Sequence, residues 1–240
     1  MEVINYLLGY EKLKIYQNTD MFNFSLDSVL LPNFVTLSKK TKKILDIGTG
    51  NAVIPIILST KTSAKIDAIE IQKEVYELGK KSIELNNLQN QIRILNMDIK
   101  DYSNICETDT YDTITCNPPF FKVNKTSNLN ESEYKIIARH EVKLNLEDLM
   151  SVARKLLKNN GNIAIVHRTD RLIDIIETMR KYNIEPKKIR LIYPKKNTNS
   201  NILLIEGTKN GKPGLKILSS LISHSELGEY TDEIKEYFTN

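Results

Sequence analysis

The stretch KKILDIGTGNAVIP, residues 42–55, decides the fold. KKILDIG (42–48) reads as a short buried strand closed by glycine, and AVIPIILSTK (52–61) as the helix that follows it. Pro55 falls in the first turn of that helix, where a missing N–H costs little. Gly48 and Gly50 tighten the turn between strand and helix. They let a ligand approach the backbone above the helix N-terminus. Twenty residues beyond Gly50, Glu70 ends the next strand, AKIDAIE (64–70). An acid at that place accepts hydrogen bonds from both hydroxyls of a ribose. Val53 stands where a dinucleotide fingerprint has its third glycine, and no arginine or lysine is near enough to hold a pyrophosphate. The pattern asks for a ligand with a ribose and no phosphate.

The rhythm continues outward from this turn. QKEVYELGKKSIELNN (72–87) is an amphipathic helix, QIRILNMD (91–98) a third strand and YDTITCN (111–117) a fourth. NLEDLMSVARKLLKNNG (145–161) reads as a helix capped by Asn145 and ended by Gly161, with Glu147 and Asp148 suiting its N-terminal dipole. NIAIVHR (162–168) is a fifth strand. TDRLIDIIETMRKYN (169–183) is a helix capped by Thr169. KKIRLIYP (187–194) and SNILLIEGTK (200–209) are two last strands joined by a short polar loop. The expected fold is α/β: a mostly parallel seven-stranded sheet, its last strand antiparallel, with helices on both faces.

At 240 residues the chain is long enough for a well-buried α/β core. No apolar run reaches the roughly 20 residues that span a bilayer, and the acidic start MEVINYLLGYEKLK does not read as a signal peptide, so a cytoplasmic protein is expected. Cys106 and Cys116 fit neither a disulfide framework nor a zinc site, and no metal-ligand cluster is visible. The net charge of +4 says little about a nucleic-acid partner. Lysines concentrate in 37–43 and 185–196, which suits either phosphate contacts or a solvated surface.

Asp46, Glu70, Asp98 and Asn117 all stand at the carboxyl ends of expected strands, where open doubly wound sheets bind ligands. Asp98 suits the exocyclic amine of an adenine, or equally the cap of a short helix. Ile71 and Ile99 offer apolar faces to its ring. CNPPFF (116–121) then holds an amide rigid: the prolines permit neither strand nor helix and keep Asn117 extended.

DIGTGNAVIP, AIE, NMDIKD and NPPF resemble the motifs of class I S-adenosylmethionine-dependent methyltransferases. NPPF is similar to the tetrapeptide of enzymes that methylate a planar NH2 group on adenine N6, guanine N2 or glutamine N5. FNFSLDSVLL (22–31), ARHEVKLNLEDLM (138–150) and the order of phrases from VHRTDRL to NGKPGL resemble, over roughly residues 5–230, the valine-tRNA adenine-N6 methyltransferase family. The resemblance implies a Rossmann-like class I domain over 41–210. Residues 1–40 would be an extension packing near the cofactor and substrate, and 211–240 a tail. It implies S-adenosylmethionine as cofactor, with Asp46, Gly48, Gly50, Glu70, Ile71, Asp98, Ile99 and Asn117 binding it. It implies tRNA as partner, with the adenine at position 37, next to the anticodon, as substrate. A monomer without metal is expected.

The chemistry required fits those residues. Adenine N6 is a poor nucleophile, its lone pair being delocalised into the ring. The Asn117 oxygen and the Pro118 carbonyl can accept its two hydrogens and stabilise the charge that develops as methyl arrives. Phe120 can stack on the base. Asp27 suits a helix start near the cofactor, with capping by Ser25 or Asp27 as the plain alternative. Arg139, His140 and Glu141 can hold RNA phosphate or order the 122–135 loop. His167 reads as structural and His224 as incidental. The competing functions are guanine-N2 methylation of ribosomal RNA, glutamine-N5 methylation of a release factor and, in a different class, a nucleoside-binding module without activity.

Overall fold

The computed structural model describes residues 1–7, 10–19, 26–118 and 144–237. Strands β1 (Glu2–Leu7) and β2 (Tyr10–Asn18) form an antiparallel hairpin ahead of helix α1 (Leu26–Phe34). β3 (Lys43–Ile47), α2 (Val53–Lys61), β4 (Lys65–Glu70), α3 (Lys73–Leu85), β5 (Ile92–Asn96), α4 (Ile99–Ile105) and β6 (Tyr111–Cys116) then alternate. Beyond residue 143 come α5 (Leu146–Leu156), β7 (Leu157–Arg168), α6 (Leu172–Lys181), β8 (Ile184–Tyr193) and β9 (Ile202–Lys209). Two-residue strands β10 (Lys216–Ile217) and β11 (Leu221–Ile222) and helix α7 (Asp232–Glu236) follow.

The main sheet runs in the order β10-β8-β9-β7-β6-β3-β4-β5, with β11 also paired to β8. β3 pairs in parallel with both β4 and β6, so the chain leaves β3 in one direction for β4 and β5 and in the other for β6 and β7. That reversal is the switch point at which such sheets bind ligands. β9 is antiparallel to both of its neighbours, β7 and β8. All seven strands read from the sequence are present. The sheet holds nine among the described residues, because β10 and β11 add to the free edge of β8.

Both faces are covered, which is why the strands read as apolar runs. Ile44, Ile66 and Ala68 pack on one face with Leu30 and Leu31 of α1 and Ile56 and Ile57 of α2. Leu45, Ile47 and Ile69, one residue out of phase, pack on the other face with Tyr102 of α4 and Met150 and Ala153 of α5.

Two local readings are corrected. The helix that begins after Asn145, whose side chain accepts from Asp148 N–H at 2.9 Å, ends at Leu156 and not at Gly161. The carbonyls of Lys155 and Leu156 accept from Asp109 and Thr110 N–H at 3.1 and 2.9 Å. Tertiary pairing thus captures the backbone while the sequence still favours helix. Gly161 instead permits a close approach inside β7: a Cβ there would lie 2.9 Å from Lys158 O and 3.0 Å from Asp112 O. Thr169 does not cap a helix. It opens a short 3-10 turn, Thr169–Arg171, and its hydroxyl pairs with that of Ser200 at 2.9 Å.

Candidate active site at the sheet's switch point

The turn after β3 alternates left-handed residues: Gly48 at φ 67°, Gly50 at 61° and Ala52 at 67°. Gly48 and Thr49 N–H both donate to Ile69 O, at 2.9 and 3.0 Å, which ties the turn to the end of β4. A Cβ on either glycine would meet no atom within 4 Å, so the space above this backbone is open. Gly79 of α3 is the counterpart below. A Cβ there would sit 2.8 Å from Gly50 O, so α3 reaches the turn only because residue 79 has no side chain.

Glu70 is buried, and its carboxylate accepts from Gly50 N–H at 3.0 Å and Gln72 N–H at 2.9 Å. Each oxygen keeps a further lone pair. Asp46 is fully buried. Thr115 of β6 donates to its Oδ1 at 2.6 Å, whereas its Oδ2 has no hydrogen-bond partner among the described residues. Burial pushes its pKa up to about 7; the Thr115 hydrogen bond draws it back and the Glu70 carboxylate adds to the rise. An orphaned buried carboxylate oxygen below an open glycine turn is what a cationic nucleoside ligand would satisfy, so the residues present fit S-adenosylmethionine.

Asp98 caps α4, accepting from Lys100 N–H at 2.9 Å. Ile99 is buried and Ile71 half-buried. Asn96 Nδ2 bonds to the carbonyls of Glu70 and Ile71, fixing the chain where β4 ends. Asn117 directly follows β6, half-buried, and its Nδ2 donates to Ser28 Oγ of α1 at 3.1 Å. Pro118 is buried. Asp27 is buried in the first turn of α1. The hairpin touches the glycine turn as well: Asn51 Nδ2 donates to Tyr16 O at 3.2 Å.

Asp46, Gly48, Gly50, Glu70, Ile71, Asp98, Ile99, Asn117 and Pro118 therefore stand along one carboxyl edge spanning β3 to β6. Phe120, Ser25, the 122–135 loop, Arg139, His140 and Glu141 lie outside the described residues. His167 is buried at the end of β7; its Nδ1 accepts from Arg168 N–H at 2.8 Å, and burial pulls its pKa down to about 4. His224 contacts Ser223 and Tyr230. The 37–43 lysines lie at the amino end of β3, a strand's length from Asn117, where Lys42 and Lys43 N–H bind Asp112. In the second cluster Lys188 is engaged by Glu206, and Lys195 and Lys196 stand past the carboxyl end of β8, on the edge that carries Asn117. Ser28, Thr115, Asn51 and Gly79 were not singled out from sequence. Ser28 lies within FSLDSVLL and Asn51 within DIGTGNAVIP, but neither carries a functional signal of its own. Among the described residues no group of three or more His, Cys, Asp or Glu is placed to hold a metal, and no helix is long and apolar enough to cross a membrane.

A family model described as the methyltransferase small domain matches residues 25–182. The tRNA1(Val) (adenine(37)-N6)-methyltransferase of Parabacteroides distasonis is 28% identical over 233 residues, covering 95% of this chain and 96% of that one. The enzyme of the same name from Flavobacterium psychrophilum is 27% identical over 206 residues, covering 85% and 86%. Among solved structures, a predicted O-methyltransferase from Agrobacterium tumefaciens has a TM-score of 0.69 at 18% identity, covering 88% of this chain and 95% of that one; it shares the fold.

Proposed function

The chain belongs to the methyltransferase small-domain family, and we propose that it transfers methyl from S-adenosylmethionine to N6 of an adenine in tRNA, the one at position 37 beside the anticodon. The observation that carries this reading is the meeting, on one sheet edge, of an open glycine turn, two buried acids and Asn117 anchored through its amide nitrogen. The names of the relatives, which match nearly end to end, support the choice of adenine and tRNA.

When bound, S-adenosylmethionine supplies an electrophilic methyl whose transfer leaves the bonding electrons on sulfur. The chain's residues bind and orient. Glu70 accepts the ribose hydroxyls on its free lone pairs, and Asp98 accepts the adenine amine while still capping α4. Ile71 and Ile99 flank the ring, and Asp46 supplies negative charge beneath the turn. On the substrate side the Asn117 oxygen and the Pro118 carbonyl accept the two N6 hydrogens, one of which leaves to solvent as the new N–C bond forms. Phe120 stacks on the base. Residues 41–210 are the catalytic domain and 211–240 a tail. Residues 1–40 act as an extension serving both ligands, a reading supported by the Asn51–Tyr16 and Asn117–Ser28 bonds. A cytoplasmic monomer suits a tRNA substrate.

The test is incubation of the protein with labelled S-adenosylmethionine and unmodified bulk tRNA, followed by nucleoside mass spectrometry. N6-methyladenine is expected. Label on guanine N2 or on protein glutamine, with none on adenine, would replace the substrate while leaving methyl transfer in place.

A further inference from the structure

We propose that Ser28 of α1 is a positioning residue for Asn117: it fixes which end of the amide faces the substrate. The inference rests on the proposed role of Asn117. A primary amide has two nearly isosteric ends, a donor NH2 and an acceptor oxygen. Only the oxygen can receive an amine hydrogen. Turned the other way, the amide would set its own N–H against those of the substrate, and the acceptor would be lost. The backbone prolines restrict residues 117 and 118 along the chain, but they do not choose between the two ends of a side chain that rotates about its last bond.

Ser28 makes that choice. Its Oγ lies 3.1 Å from Asn117 Nδ2, across 89 residues of sequence. It is the side-chain partner of that amide among the described residues. A serine hydroxyl can accept as well as donate, and here its oxygen accepts from the amide nitrogen, which leaves Asn117 Oδ1 for the substrate. The serine is held in place by the rest of α1: Val29, Leu30 and Leu31, next in sequence, are fully buried in the core against α2. The anchor therefore sits on a rigid element, and its partner follows immediately on a central strand.

The experiment compares Ser28→Val with Ser28→Thr, which have the same shape and differ in the hydroxyl, and repeats Ser28→Val in an Asn117→Ala background. Expected is a fall in kcat of about tenfold for Ser28→Val, with KM for tRNA, cofactor affinity and melting temperature near wild type, and recovery of kcat in Ser28→Thr. In the Asn117→Ala background Ser28→Val should cost nothing more, because the two act through one amide. Equal loss in Val and Thr, or an additive loss in the double variant, overturns the inference. Full activity of Ser28→Val beside an impaired Asn117→Ala overturns it too, and leaves the role of Asn117 standing. Full activity of Asn117→Ala overturns both.

Discussion

The two halves of the site are built differently. On the cofactor side, neighbouring strands hold one another's ends: Gly48, Thr49 and Met97 N–H donate to carbonyls of Ile69 and Glu70, and Glu70 accepts from Gly50 and Gln72. These bonds come with the parallel sheet itself. On the proposed substrate side, the described residues hold the Asn117 side chain by one bond to α1, an element outside the strand–helix alternation. The cofactor half is thus preorganised by local backbone, and the substrate half by the docking of an N-terminal segment. Binding and turnover should accordingly separate under mutation.

The sharpest test is Asn117→Ala. Losing one oriented partner of developing charge typically lowers kcat about 100- to 1000-fold, and calorimetry should find cofactor affinity nearly unchanged. A parallel loss of affinity would erase the distinction between the halves. Next comes Glu70→Ala. A hydrogen bond to a charged group is worth about 1.5–3 kcal/mol, so S-adenosylmethionine should bind roughly tenfold more weakly or worse. Unchanged affinity by calorimetry would remove Glu70 from the ribose.

A third effect follows from Asp46, whose carboxyl is raised to about 7. If the cationic cofactor requires the ionised form, affinity should fall about tenfold for each pH unit below that value and level off above it. Stability of the ligand-free protein should run the other way. A carboxyl whose folded pKa is raised stabilises most at low pH, and that contribution is lost as pH rises from about 4 to about 7. Against Asp46→Asn, wild type should therefore lose ground in melting temperature across that window. His167, lowered to about 4, is common to both proteins and cancels in the comparison. A difference that does not change with pH would show Asp46 to be ionised throughout. The smallest effect belongs to Thr115→Val. Removing the donor to Asp46 Oδ1 should move the midpoint of the affinity profile upward by about one unit or less. A midpoint that stays in place would mean Thr115 is not felt by the cofactor.

Legibility from sequence follows the same division. The glycine turn, Glu70 and Asn117 stand at strand ends in short motifs of fixed spacing, so their meeting on one sheet edge could be read from sequence. Ser28 could not: its partner is 89 residues away, and nothing near position 28 points to it. Thr115 reads only as a β-former, and Gly79 as a flaw in α3 until the turn is seen lying against it. Helix propensity ran through Leu157–Asn160, where pairing beside β6 outweighed it. β10 and β11, at two residues each, are too short to show any alternation.

Those two short strands also bear on how the protein behaves in company. An unpaired strand edge offers a row of N–H and C=O groups to any other extended chain. β8 forms the flank of the sheet, and β10 covers Lys188 and Ile189 while β11 covers Ile192 and Tyr193. Ser223 and His224 N–H continue the cover onto the carbonyls of Tyr193 and Pro194. Residues 216–224 thus occupy the hydrogen-bonding groups of a flank that would otherwise stand open to further strands.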